Sequence, residues 1–179
     1  SAQAVVDEQR LITPAPLHAD PAIAAPLWSI RKAMLPTIGG SRPAGSSIIL
    51  EDVVFPPEAL APGTAHLRAL LDRHGYAGVI FGHAKDGNLH FLVSADFGHP
   101  LAADRYAAFM ADLVDLVTHH GGALKGEHGT GRNMAPFVEA EWGSHATEVM
   151  ARLKRLADPA GILNPGTIVP TSPTSHVEN

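Results

Sequence analysis

Two histidines, His83 and His90, flank an Asp-Gly pair in FGHAKDGNLHF, residues 81–91. Asp-Gly between two β-rich runs, AGVIFGHA and NLHFLVSA, is a strong hairpin signal, because a two-residue type I′ turn needs positive φ at both central positions. With Asp86 and Gly87 as that turn, Lys85 faces Asn88, Ala84 faces Leu89 and His83 faces His90. Directly opposed residues share a sheet face with Cβ atoms about 5 Å apart, a separation that two ligands of one metal can span. Phe81, opposite Leu92, would give that face an apolar floor, with Ile80 and Phe91 on the other side. Two ligands without a third are not a metal site. A cross-strand histidine pair satisfied by solvent or by backbone carbonyls is the simpler reading of the hairpin taken alone.

A third ligand is offered by KGEHGTGR, residues 125–132. Glu127 brings a carboxylate and His128 an imidazole, while Gly122, Gly126, Gly129 and Gly131 let the backbone approach something closely. Two histidines and one carboxylate form a set used by catalytic divalent metals that keep a position open for water or substrate. Neighbouring side chains diverge in an extended segment, which assigns Glu127 to the metal and His128 to proton transfer. A glycine loop before a helix fits the same stretch equally well. Walker and dinucleotide-binding glycine spacings are absent, as is the HExxH pattern. Arg31, on the helix that carries Trp28, and Arg42, in a Gly- and Ser-rich loop, are candidates to hold an anionic group bidentately; a solvated surface arginine accounts for either as well. Glu51 and Asp52 are neighbours in a strand and so face opposite ways, which excludes them as an acid–base pair. His119 and His120 suit the negative end of a helix.

The elements that must position these residues follow from periodicity and punctuation. Residues 1–20 read as a strand or a lead-in segment. Asp20-Pro21 opens a helix that carries Ile23, Leu27, Ile30 and Met34 up to Pro36. SIILEDVVF is a strand closed by Pro56 and Pro57. Leu60, Leu67, Leu70 and Leu71 lie on one side of a helix stopped at Gly75. A long amphipathic helix follows the hairpin, built on Tyr106, Phe109, Met110, Leu113, Leu116 and Val117 and ended by Gly121 and Gly122. A last helix runs from about Ser144 to Leu156, before Asp158-Pro159, and residues 171–179 form a flexible tail. Helices separated by hairpin-capable strands, without strict βαβ alternation, predict an α+β fold: an antiparallel sheet with helices on one face and the other face free for a ligand or partner.

Composition narrows the function. The 179 residues, 45% hydrophobic, suit one domain with a real core. A formal charge of −5 and 6% aromatics leave no basic stripe or stacking platform, which argues against nucleic acid. With no cysteine, thiolate metal sites, disulfides and cysteine nucleophiles are excluded. No apolar run approaches the roughly 18 residues needed to span a bilayer, and no signal peptide is visible, so the expectation is a soluble, cytoplasmic chain. Its start at Ser1 suggests a piece of something larger.

GHAKDGNLHF and GEHGTGR, followed by RLADPAGILNPG, resemble the C-terminal domain of FAD-linked oxidases, the family of D-lactate, glycolate and D-2-hydroxyglutarate dehydrogenases. LWSIRKAMLPTIGG, IILEDVVFP and EHGTGRNMAPFVEAEWG look closest to the branch that joins a flavin domain, this domain and an iron-sulfur domain in one polypeptide. The resemblance implies a ferredoxin-like domain over residues 21–170 that covers the flavin and supplies the substrate side of the active site. It implies His83, His90 and Glu127 as ligands of a divalent metal, zinc in most such members, and His128 as a residue near the substrate hydroxyl. Arg31 matches a substrate-carboxylate binder and Asn164 a position close to the flavin. Lys85 and Leu92 stand where the family commonly has a glycine and a polar residue. Leu35 and Leu50 replace a threonine and a lysine that hold a distal carboxylate in some relatives, leaving Arg42 as a substitute clamp. The implied partners are a small 2-hydroxy acid, an FAD-binding domain of the same full-length protein, an electron acceptor that could draw the protein to a membrane surface, and, as a further option, a second copy of the chain. FAD and any iron-sulfur cluster would belong to domains outside this sequence, so the fragment alone is expected to be inactive. A metal-dependent hydrolase using the same two histidines and one glutamate, and a docking module with structural histidines, are the rival readings.

Overall fold

A computed structural model describes residues 2–178. They form two compact units, divided between Arg42 and Pro43.

The first unit contains α1 (Ala2–Asp7) and α2 (Pro21–Ser41). Within the opening segment, expected to be a strand or a lead-in, Ala2–Asp7 is helical and no strand forms among the described residues. Asp20 caps α2 by accepting from the Ala22 N–H at 2.9 Å, with Pro21 in the first turn where no donor is lost. The helix passes through Pro36, its expected end, and stops only at Arg42, whose extended backbone (φ −65°, ψ 153°) is what a residue preceding a proline favours. Arg31 lies exposed on α2.

The second unit runs β1 (Ser47–Val54), α3 (Leu60–Arg73), β2 (Gly78–His83), β3 (Asn88–Ala95), α4 (Ala102–His119) and α5 (Val138–Ala157). The three strands are antiparallel in the order β1-β3-β2. Ala123, just after α4, pairs with Val54 on the outer side of β1 as a single bridge. This is the βαββα order and strand arrangement of a ferredoxin-like fold, with the fourth strand reduced to one residue.

Alternation along β3 separates the two sheet faces. Phe91 and Val93, with Val53 and Phe55 from the β1 side, pack on Leu67, Leu70 and Leu71 of α3 and on Phe109, Met110, Leu113 and Val117 of α4. His90, opposite Asp52, occupies the other face. Gly75 (φ 68°) ends α3 and Gly121 (φ 66°) follows α4, where sequence punctuation placed both stops. The last helix begins earlier than expected, at Val138, and is interrupted at Gly143 (φ 77°, ψ 163°), so the segment expected from Ser144 is its second part. The tail expected to be flexible folds back: Val177 packs against the core and the His176 ring lies 4.8 Å from that of Phe137. No helix among the described residues is long and apolar enough to cross a membrane.

Phe109 is the centre of the aromatic core, its ring 5.2 Å from Tyr76 and 5.8 Å from Phe91. Phe109→Ala is expected to cost about 3–5 kcal/mol of stability, read as a lower midpoint in urea unfolding.

Candidate metal centre

The hairpin differs from its expected form in an informative way. Ala84–Asp86 make a 3-10 turn and only Gly87 takes positive φ (69°), so the loop holds four residues and not two. Gly87 is fixed by β1: its carbonyl accepts from the Phe55 N–H at 2.9 Å, and a Cβ on it would sit 2.0 Å from the Phe55 oxygen. The register moves by two, pairing His83 with Asn88 and Phe81 with His90. Because side chains alternate with period two, a shift of two keeps every side chain on its predicted face. His83 and His90 thus remain on one face as diagonal neighbours, ring centroids 5.4 Å apart, while Ile80 and Phe91 pair on the core side.

Glu127 arrives from the segment after Ala123. Its Oε1 lies 2.9 Å from His90 Nε2 and 3.4 Å from His83 Nε2. One donor atom from each of the three residues falls within 4.8 Å of the others, the reach of a shared cation. His90 is 3% exposed, whereas His83 and Glu127 are about half exposed, so the cluster is rigid at its base and open on one side. Burial, followed by the nearby His128, lowers the pKa of His90, which keeps its imidazole neutral as a metal ligand requires. The donor set fits a divalent cation such as zinc. His128 stacks on His90 with centroids 4.8 Å apart and planes 11° from parallel. Its Nδ1 lies 3.7 Å from Asp52 Oδ1.

Three supporting residues escaped sequence reasoning: Asp52, Asn88 and Lys125. Asp52 Oδ2 accepts from Asn88 Nδ2 at 3.0 Å, from the Gly126 N–H at 3.0 Å and from the Glu127 N–H at 2.6 Å. Glu51 and Asp52 do face opposite ways, but Lys125 reaches both, in contact with the Glu51 carboxylate and 3.7 Å from Asp52 Oδ1. Burial pulls the Lys125 ammonium down to about 8. Behind Glu51, Asn133 donates to Glu51 Oε1 and accepts from the Tyr106 hydroxyl at 3.0 Å. The available signal was two adjacent acids inside a β-branched strand, which need partners on both faces.

The other expected residues are distributed. Arg31 and Arg42 belong to the first unit, where Arg42 donates to the Gly39 carbonyl at 2.6 Å. Asn164 adopts a left-handed conformation (φ 43°), which asparagine tolerates. Its turn is tied to the glycine segment after His128, because Arg132 Nε donates to the Pro165 carbonyl at 3.1 Å and the Ile168 N–H to Gly131 O at 3.2 Å.

Fold and cluster together define an α+β domain that presents two imidazoles and a carboxylate on the sheet face opposite its helices. Residues 6–168 match the family of FAD linked oxidases, C-terminal domain, and the chain belongs to that family. It is 35% identical over 145 residues to a D-2-hydroxyglutarate dehydrogenase of Escherichia coli, covering 80% of this chain and 14% of that protein. It is 30% identical over 140 residues to glycolate oxidase subunit GlcD of Bacillus subtilis (78% and 29% covered) and 31% over 151 residues to a D-lactate dehydrogenase of Anaerostipes hadrus (83% and 31%). The chain thus spans less than a third of the length of each of these relatives. A structure of 4-ethylphenol oxidase from Gulosibacter chungangensis shares the fold, with a TM-score of 0.58, 17% identity, and 94% of this chain and 36% of that one covered.

Proposed function

We propose that this chain is the substrate- and metal-binding domain of an FAD-dependent D-2-hydroxy acid dehydrogenase. The convergence of His83, His90 and Glu127 on one open face, in a chain of this family, carries the reading. These three residues would hold a divalent metal, zinc being the best match to a two-histidine, one-carboxylate set. A metal there would lower the pKa of the substrate hydroxyl, and the flavin implied by the family would accept the hydrogen of the adjacent carbon as hydride.

The chain's own residues do the rest. Arg31 is assigned to the substrate carboxylate on the strength of the family motif, and Arg42 is assigned as a second clamp in place of the family residues that Leu35 and Leu50 replace. His128 is assigned to take the hydroxyl proton. With its Nδ1 turned to Asp52, Nε2 is the nitrogen left for that transfer. Asn164 is assigned to the flavin side of the domain. The relatives are named for D-2-hydroxyglutarate, glycolate and D-lactate, and the substrate of this chain is proposed from that class.

Anaerobic addition of D-2-hydroxy acids to the complete FAD-loaded polypeptide is expected to bleach the oxidised flavin absorbance and release the 2-oxo acid. A flavin left oxidised by every member of a D-lactate, glycolate and D-2-hydroxyglutarate series would contradict the proposal.

A further inference from the structure

We propose that Asp52 is a positioning residue of the metal centre, the buried carboxylate that seats Glu127 over the histidine pair. The inference rests on the metal-site reading above. Glu127 comes from a loop and its side chain is half exposed, so its own packing does not place it. Its backbone does: the Glu127 and Gly126 N–H groups and the Asn88 side-chain amide all donate to one oxygen, Asp52 Oδ2. Hydrogen bonds to a carboxylate are short and strong, and the accepting Asp52 side chain is fully buried.

Asp52 is 0% exposed and stands directly opposite His90 across the β1–β3 ladder. One rigid sheet row therefore carries both a proposed ligand and the anchor of another. The close approach leaves no space at Gly126, where a Cβ would meet Asn88 Nδ2 at 2.1 Å and Asp52 Oδ2 at 2.8 Å. Asp52 acts on Glu127 and makes no bond to His90: Asp52 Oδ1 and His90 Nδ1 are both buried without a hydrogen-bond partner. One atom from each of Asp52, His90 and His128 lies within 4.8 Å of the others. A second cation among Asp52, His90 and His128 is disfavoured, because the Lys125 ammonium already stands 3.7 Å from Asp52 Oδ1. Neutralising Lys125 is not the task of Asp52 either, since Glu51 is in contact with that ammonium.

The test is titration of the chain with Zn²⁺ in competition with a chromophoric chelator, and with Co²⁺ read by its visible spectrum, in wild type, Asp52→Asn and Gly126→Ala. The expected result for Asp52→Asn is an affinity loss of about 10–100-fold and displaced Co²⁺ bands in a chain that still unfolds cooperatively. A purely structural role would lower the melting temperature and leave the spectrum of the folded chain as it was. Should Asp52→Asn fail to fold, Gly126→Ala carries the test, since it keeps every ligand and charge and lifts only the loop; the same affinity loss is expected. Wild-type affinity and spectrum in either folded variant overturn the proposal. A wild-type chain that binds neither ion overturns the metal reading itself, and this inference with it.

Discussion

His83→Ala is expected to remove the metal from the complete protein and leave the fold in place. The His83 side chain is about half exposed at the end of β2, and its diagonal contact with His90 is an edge-on ring contact, not core packing. Truncating an exposed side chain away from the core changes stability by about 0.5 kcal/mol or less. Loss of one of three protein ligands should weaken binding by more than the about 10–100-fold that an outer-shell change costs. Metal content after gel filtration, set against a melting curve, separates the two quantities. His90→Ala is the less discriminating variant, because His90 is 3% exposed and packs against Phe81 and His128, so a cavity would accompany the lost ligand. A His83→Ala protein that keeps stoichiometric metal would show that this histidine is no ligand.

Replacing His128 should have the opposite signature, with metal retained and turnover lost. His128 stacks on His90 and is not one of the three residues, His83, His90 and Glu127, whose donor atoms converge on the cation position. General acid–base catalysis contributes about 10²–10⁴-fold, and kcat of His128→Phe should fall by that range. Phenylalanine keeps a flat ring over His90 while removing both nitrogens, so the stacking term stays and the proton acceptor goes. Metal analysis and steady-state kinetics on the same preparation check it. Retained kcat would assign the proton transfer to another group, and lost metal would make His128 a ligand.

The strands and most helix ends were legible because they depend on local signals. β-branched runs bounded by prolines place β1, and glycines with positive φ end α3 and α4 where expected. The face of the sheet that carries His83 and His90 was legible too, since period-two alternation survives a register change. The register was not, because the Asp-Gly turn is overridden by tertiary contacts: β1 grips Gly87 through the Phe55 N–H, and the loop lengthens to four residues. Pro36 failed as a stop signal for α2, and the Arg42-Pro43 step succeeded, which shows how weakly a single proline fixes a boundary. The role of Asp52 was illegible for a different reason. Two adjacent acids in a β-branched strand signal a need for partners, but those partners are two backbone N–H groups some seventy residues later and an asparagine on another strand, which no local pattern identifies.

Site residues divide along the same line. His83, His90 and Glu127 could be paired from motif spacing, and they do converge on one face. The buried Glu51–Lys125 contact and its extension through Asn133 to Tyr106 depend on the sheet bringing strand and loop together. Burial holds the Tyr106 hydroxyl up to about 12, so it stays protonated and serves as a donor at this end of the network.

X-ray absorption at the zinc edge on the zinc-loaded complete protein reads the proposed ligand set itself. One zinc per chain is expected, with two imidazole nitrogens and a carboxylate oxygen among its ligands, and a spectrum from which one imidazole disappears, or the metal with it, in His83→Ala. A protein that takes up no zinc, or one whose zinc spectrum is the same in wild type and His83→Ala, would contradict it.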